Sequence, residues 1–222
     1  MSFKRENLPS QFATKDELSK DMAAIGFLIT AEGSENPNIE NTLIAASIEG
    51  LQGDLRTLSL LVNWLEIHHA AINADRLTKM IRSLQKDKIL VCFWSATAKN
   101  ILTDPRFMKL RRLYKGKQLD LLDVGMDFQV GRHGEDPRFK GSCLRAPGNV
   151  LRNRPRDILE PSRLAKINSN YRYRIIIGPS YKADQWALLE KFSELTPSKL
   201  AKLSYSSFGS AWATKKNFET LL

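Results

Sequence analysis

Apolar positions recur every three or four residues through most of the N-terminal half, a spacing that predicts a string of amphipathic helices. The first fourteen residues are polar and expected to fray, after which Thr14 with Glu17 forms a capping box for a helix to about Ile29. Ser34 to Asn38 reads as a loop, with Asn38 capping a helix that ends at Gly50. Leu55, Leu58, Leu61, Val62, Leu65 and Ile67 mark a strongly apolar helix reaching His68 and His69. Asn73 opens another, with Leu77, Met80, Ile81 and Leu84 on its buried side. Ile89 to Trp94 is continuously apolar, so Lys88 to Ala98 fits a helix or a strand.

The pattern then changes. Asp104-Pro105 opens a short helix carrying Phe107, Leu110 and Leu113, rimmed by Lys109, Arg111, Arg112 and Lys115. Beyond Gly116 the helical period disappears. Glycines and prolines punctuate segments such as Asp127 to Val130 and Ser142 to Arg145, which read as short strands and loops. Glu160-Pro161 starts a helix through Ile167. Tyr171 to Ile177 alternates arginine with apolar residues, and Gly178-Pro179 closes that element.

Leu195 to Leu222 has the pattern of a helix-turn-helix. Thr196 caps a first helix with Pro197 at its first position and Leu200, Ala201 and Leu203 on an apolar face. Ser204-Tyr205-Ser206 breaks the period and Ser206 caps again. Phe208, Ala211, Trp212 and Phe218 then recur near helical spacing. The polar side of the second helix keeps Ser207, Ser210, Thr214, Lys215, Lys216 and Asn217: hydroxyls and an amide to read base edges, lysines to hold phosphates. An ordinary small helical domain carries the same pattern. Tyr205 stands where such turns favour glycine, because a positive φ disfavours a tyrosine. Arg76-Leu77-Thr78-Lys79 echoes Lys199-Leu200-Ala201-Lys202, as a duplicated unit or by convergence of amphipathic helices.

Composition sharpens the picture where charge is concerned. The chain of 222 residues is 42% hydrophobic and carries a net charge of +10. Residues 99–174 hold 18 Lys and Arg against 8 Asp and Glu, a surplus equal to that of the whole chain. Such a concentration points to an anionic partner, nucleic acid before an acidic protein or a membrane surface. Arg145, Arg152, Arg154, Arg156, Arg163, Arg172 and Arg174, with Tyr171 and Tyr173 interleaved, form the best constellation for it. Guanidinium forks match phosphates, while the tyrosines stack on a base or fill a core.

Other chemistry finds less support. His68 and His69 are adjacent on a helix and point apart, so they read as helix-end histidines facing the dipole rather than as ligands of one ion. Asp120, Asp123, Asp127, Glu135 and Asp136 are the acids a metal-dependent nuclease would use, without the acid-x-lysine spacing common in such enzymes. Phosphate-loop, dinucleotide and nucleophile-elbow motifs are absent from the sequence, and Cys92 and Cys143 lack metal spacing and read as reduced structural thiols. The expectation is a protein that is not an enzyme and has no cofactor or metal.

The order Asn170-Tyr171-Arg172-Tyr173-Arg174, Gly178-Pro179-Ser180-Tyr181-Lys182-Ala183-Asp184 and Leu200-Ala201-Lys202-Leu203 resembles winged-helix regulators encoded beside nucleotidyltransferases, and antitoxin-type repressors of the abortive-infection class. The resemblance spans about a quarter of the chain. It implies a bacterial operon regulator that binds double-stranded operator DNA through the second short helix, as a homodimer; a companion toxin or other operon partner is the acidic protein that the basic surface would otherwise dock. It gives a structural role to Ala183, Leu200 and Ala201 and a reading role to Ser207, Ser210, Thr214 and Lys215. With the sequence running to Leu222, a two-stranded wing is expected to be absent or supplied by another segment.

The expected fold is mainly α with a small β-containing middle. It comprises a helical N-terminal domain over 1–103, itself a candidate helix-turn-helix, a basic middle over 104–174 and a helix-turn-helix domain over 175–222. The expected function is a DNA-binding transcriptional regulator, with an interaction subunit docking an acidic partner and a metal-dependent nuclease as alternatives. Without a long apolar run or a secretory leader, a cytoplasmic location with no membrane partner is expected.

Overall fold

The structure, a computed structural model, describes residues 8–9, 11–35 and 37–221; Asn36 of the expected loop and part of the N-terminal stretch expected to fray lie outside them. Helices dominate: α1 Lys15–Ala24, α2 Ile39–Leu51, α3 Leu55–His68, α4 Ala74–Ser83 and α5 Lys88–Asn100 form the N-terminal body. Asn38, Asp54, Asn73 and Asp87 each cap the helix they precede by accepting backbone N–H bonds. Helix α1 stops at Ala24, short of the expected Ile29, and Thr14 makes no side-chain capping bond. Leu8, Phe12 and Ala13, within the stretch expected to fray, lie partly buried against the core.

Helices α2 and α3 pack together. A Cβ at Gly50 would lie 2.7 Å from the Leu58 Cβ, so only glycine permits this approach. The body is closed by Trp64, whose indole N–H donates to the Ile25 carbonyl at 2.8 Å, and by Trp94, which donates to Ser47 Oγ at 3.0 Å. The ambiguous apolar run is helix α5, capped by Asp87 and buried from Leu90 to Ala98. That burial leaves α5 without a broad wet face.

The basic middle adds a short 3-10 turn (Pro105–Phe107), α6 Met108–Arg111, β1 Leu119–Asp120, α7 Met126–His133, β2 Leu144–Arg145, α8 Pro161–Ile167 and α9 Ser169–Ile177. Strands β1 and β2 pair in parallel, Leu119 opposite Leu144 and Asp120 opposite Arg145. Asp127 to Val130, expected as a strand, lies inside helix α7, where only Met126 is buried. Phe139, Leu144, Ala146, Leu151, Ile158, Leu164 and Tyr171 belong to the same apolar core as the body helices, so this core continues across position 103. The 174/175 boundary falls within α9.

Last come α10 Tyr181–Lys191, α11 Pro197–Leu203 and α12 Phe208–Glu219, which enclose a small separate cluster of Leu188, Leu189, Leu200, Ala201 and Ala211, with Leu195 and Phe218 against it. Among the described residues no helix is long and apolar enough to cross a membrane.

Candidate nucleic-acid interface

The C-terminal unit is three helices in which α12 packs on both α10 and α11. Thr196 caps α11 through Lys199 N at 3.3 Å with Pro197 at the first turn, as the sequence predicts. The second cap is Ser207, which accepts from Ser210 N, rather than Ser206. Between the helices, Tyr205 adopts φ 53°, the left-handed conformation that helix-turn-helix turns usually assign to glycine.

What holds Tyr205 in this conformation is a polar network on both sides of it. Gln185, fully buried on α10, donates its amide to Ser206 Oγ at 2.7 Å and accepts from Thr214 Oγ1 at 2.6 Å. Ser204 Oγ donates to the Leu200 carbonyl at 2.7 Å. From the body, Arg76 Nη2 donates to the Ser204 carbonyl at 2.9 Å.

Arg76 belongs to a buried charge cluster joining the unit to the body. Glu40 on α2, Arg76 on α4, Arg174 on α9 and Asp184 on α10 are each 0–1% exposed. Arg174 forms two bonds to Glu40 and two to Asp184, the latter at 2.8 and 3.0 Å. Arg76 Nη1 lies 2.9 Å from Glu40 Oε2 and also pairs with Asp184. The Arg76 guanidinium sits 4.5 Å above the Tyr181 ring, and Glu40 Oε1 accepts from Asn73 N at 2.8 Å. Burial alone would raise the Glu40 carboxyl, but Arg174 and Arg76 outweigh it and hold it down to about 2. Two cations and two anions thus cancel inside the protein, with nearly every donor and acceptor satisfied.

The cluster corrects one expected phosphate ligand. Arg174 is wholly committed to Glu40, Asp184 and the Ala71 carbonyl and offers nothing to solvent. Arg172 pairs with Glu190 at 2.7 Å, and Arg145 with Asp127 at 2.6 Å. Arg152, Arg154 and Arg156 stand exposed on the loop before α8. Tyr171 is buried and Tyr173 stacks on Trp186 at 6.4 Å, so both tyrosines pack within the protein.

On α12 the expected reading set divides. Thr214 is 3% exposed and bonded to Gln185, so it faces inward and is corrected. Ser210 lies 3.3 Å from the Gln185 amide nitrogen, and Lys215 turns to the Ser193 carbonyl and Glu219. Ser207, Lys216 and Asn217 face solvent. They share that side with Phe208, Gly209, Trp212 and Ala213, in steps of one and four residues. Leu203, Phe208 and Trp212, expected on apolar inner faces, are 51–59% exposed. Lys216 Nζ lies 5.5 Å from the Trp212 ring.

His68 also departs from expectation. It is 1% exposed, with Nδ1 2.8 Å from the Tyr171 hydroxyl and Nε2 2.9 Å from the Leu159 carbonyl. Burial pushes it down to about 4, so at neutral pH it is uncharged and does not face the dipole as a cation. Nε2–H then donates to Leu159 and Nδ1 accepts from Tyr171. Of the nuclease candidates, Asp120 and Asp127 lie by Arg145 and Asp136 pairs with Arg138, while Asp123 is exposed. Among the described residues no three His, Cys, Asp or Glu side chains gather to hold a metal ion. Cys92 and Cys143 are free and bond to each other's backbone carbonyls.

Comparison with known protein families, curated proteins and solved structures finds no match.

Glu40, Gln185 and Asn63 were missed as organising residues, and Arg76 and Asp184 stood in the quoted motifs without a role. Glu40 stands in the polar first turn of α2 beside Asn41 and Thr42, where a carboxylate reads as an ordinary helix-start residue.

Proposed function

We propose that the chain is a double-stranded-DNA-binding regulator of the antitoxin or operon-repressor type that reads base edges with the outer face of α12. The observation carrying this reading is the left-handed Tyr205 turn between two short helices, braced from the body through Arg76, with α12 left open on one side. Asn217 and Ser207 supply hydrogen bonds to base edges, Lys216 a phosphate contact, and the small Gly209 and Ala213 allow close approach to the groove. A dimer on paired half-sites is part of the proposal. If about six phosphates are neutralised, the log–log salt slope is about −5.

The test is binding to labelled DNA from the chain's own upstream region and to a scrambled duplex across a salt series. Preference for the native sequence that is reduced in Asn217→Ala, with a slope lowered by about one in Lys216→Ala, supports the reading. Equal affinity for both duplexes overturns it.

A second reading rests on Phe208 and Trp212, which are 59% and 51% exposed beside Lys216. Aromatic side chains with a cation suit a protein partner, such as a companion toxin. A stoichiometric partner from the native host that is lost in Trp212→Ala but kept in Asn217→Ala selects this reading.

A further inference from the structure

A second basic feature lies away from α12, where the loop before α8 crosses the first turns of α3. Its ends are anchored in the main core by Leu151 and Ile158. Between them the backbone is pinned by two buried polar side chains of α3. Arg152 N donates to Ser59 Oγ at 3.1 Å, Asn63 Nδ2 donates to the Arg152 carbonyl at 2.9 Å, and Arg154 N donates to Asn63 Oδ1 at 3.0 Å. Asn63 therefore pairs with the loop as a neighbouring strand would, on a residue that is 1% exposed. Ordering the loop in this way leaves less conformational entropy to lose when its side chains bind.

The arginines that this backbone presents converge. Arg152 and Arg154 line a cleft of about 500 Å³, and Arg56 from α3 lines it too, beside Asn149. All three arginines are exposed, and among the described residues none has an ion-pair partner. The contrast with Arg138, Arg145 and Arg172, each matched to a carboxylate, is chemical. Asp157 is the acid lining the cleft, one against three. Nearby, Asp54 accepts from Arg56 N, Thr57 N and Thr57 Oγ1; against partial burial, these bonds and the Arg56 charge hold its carboxyl below the ordinary value, without a direct ion pair between the two side chains.

Guanidinium groups without ion-pair partners around a concave site suit an anion that takes several hydrogen bonds through planar forks. We propose that the Arg56, Arg152 and Arg154 cleft binds a phosphoester group, presented by a nucleic-acid strand or by a free nucleotide. The proposal shares with the DNA reading above only the nucleic-acid source, and its free-nucleotide arm stands without it.

The experiment compares the full chain with the R56A/R152A/R154A variant and with R111A/R112A/K115A, which removes equal charge from exposed residues that do not line the cleft. Three probes are titrated: a short fluorescein-labelled duplex of scrambled sequence, ADP and a poly-glutamate peptide. The cleft variant weakens duplex or ADP binding by about tenfold or more, and the control changes each by less than about twofold. Loss confined to the duplex, with the salt slope reduced by about three, assigns the strand as the source; loss of ADP binding assigns the free nucleotide. Equal losses in both variants, no loss in either, or a loss for poly-glutamate alone overturns the proposal. Failure of the α12 reading shows separately, as equal affinity for native and scrambled duplexes, without affecting the comparison between cleft and control variants.

Discussion

Arg174 and Glu40 stand 134 residues apart in sequence and meet in a two-pronged bond, Nη1 to Oε1 at 2.5 Å and Nη2 to Oε2 at 2.9 Å, with neither side chain exposed. This contact joins α9 to α2, and the adjoining Nε–Nη2 edge of the same guanidinium holds Asp184 of α10. The C-terminal unit is thus fixed to the body by matched buried charge as well as by apolar packing.

Removal of one partner strands the others. Glu40→Ala is expected to destabilise the protein by about 3–5 kcal/mol, because Arg76 and Arg174 then share one carboxylate away from water. Since folding lowers the Glu40 carboxyl from 4.5 to about 2, its stabilisation is complete above about pH 4.5 and is lost as the pH falls towards 2. Urea unfolding at stepped pH checks this. The wild type loses stability across that window, whereas Glu40→Gln has a shallower slope.

His68 predicts a pH dependence in a higher window. Its folded value of about 4 lies below the ordinary 6.5, so the unfolded chain takes up the proton first. The contribution is fully present above about pH 6.5 and falls as the pH drops through 4, by about 3 kcal/mol. Comparing unfolding of the wild type and His68→Gln at pH 7 and pH 5 tests it. A stability gap that is independent of pH would contradict the assignment.

The Tyr205 turn makes a prediction about backbone conformation. Both Tyr205→Gly and Tyr205→Val remove the half-buried ring, but only valine retains the steric cost of φ 53°. The glycine variant should be more stable than the valine variant by about 1–2 kcal/mol, the opposite of the order in an extended segment. Thermal melts of the pair read the difference.

Gln185 should be the most sensitive uncharged polar residue of the C-terminal unit. Gln185→Leu removes the donor to Ser206 and leaves the Thr214 hydroxyl without its buried acceptor, at a cost of about 1–3 kcal/mol. If α12 reads DNA, the same change weakens binding although Gln185 itself is buried. Unaltered stability, measured by chemical denaturation, would remove the network from this role.

The elements of this fold that were legible in the sequence are those governed by local physics. Asn38, Asn73 and Thr196 announce helix starts because a cap bonds to N–H groups only a few residues away, and the apolar period of α3 marks its buried face without reference to anything else. The turn between α11 and α12 was legible for the same reason, down to the awkward place of Tyr205. Tertiary structure alone decided which polar groups meet. Arg174 reads as a phosphate ligand until Glu40 and Asp184 close on it, Thr214 reads as a base contact until Gln185 takes its hydroxyl, and Phe208 and Trp212 read as core until α12 is oriented. A side chain's spacing along a helix fixes its neighbours on that helix; whether it meets solvent, an apolar wall or a counter-charge depends on partners brought from distant parts of the chain.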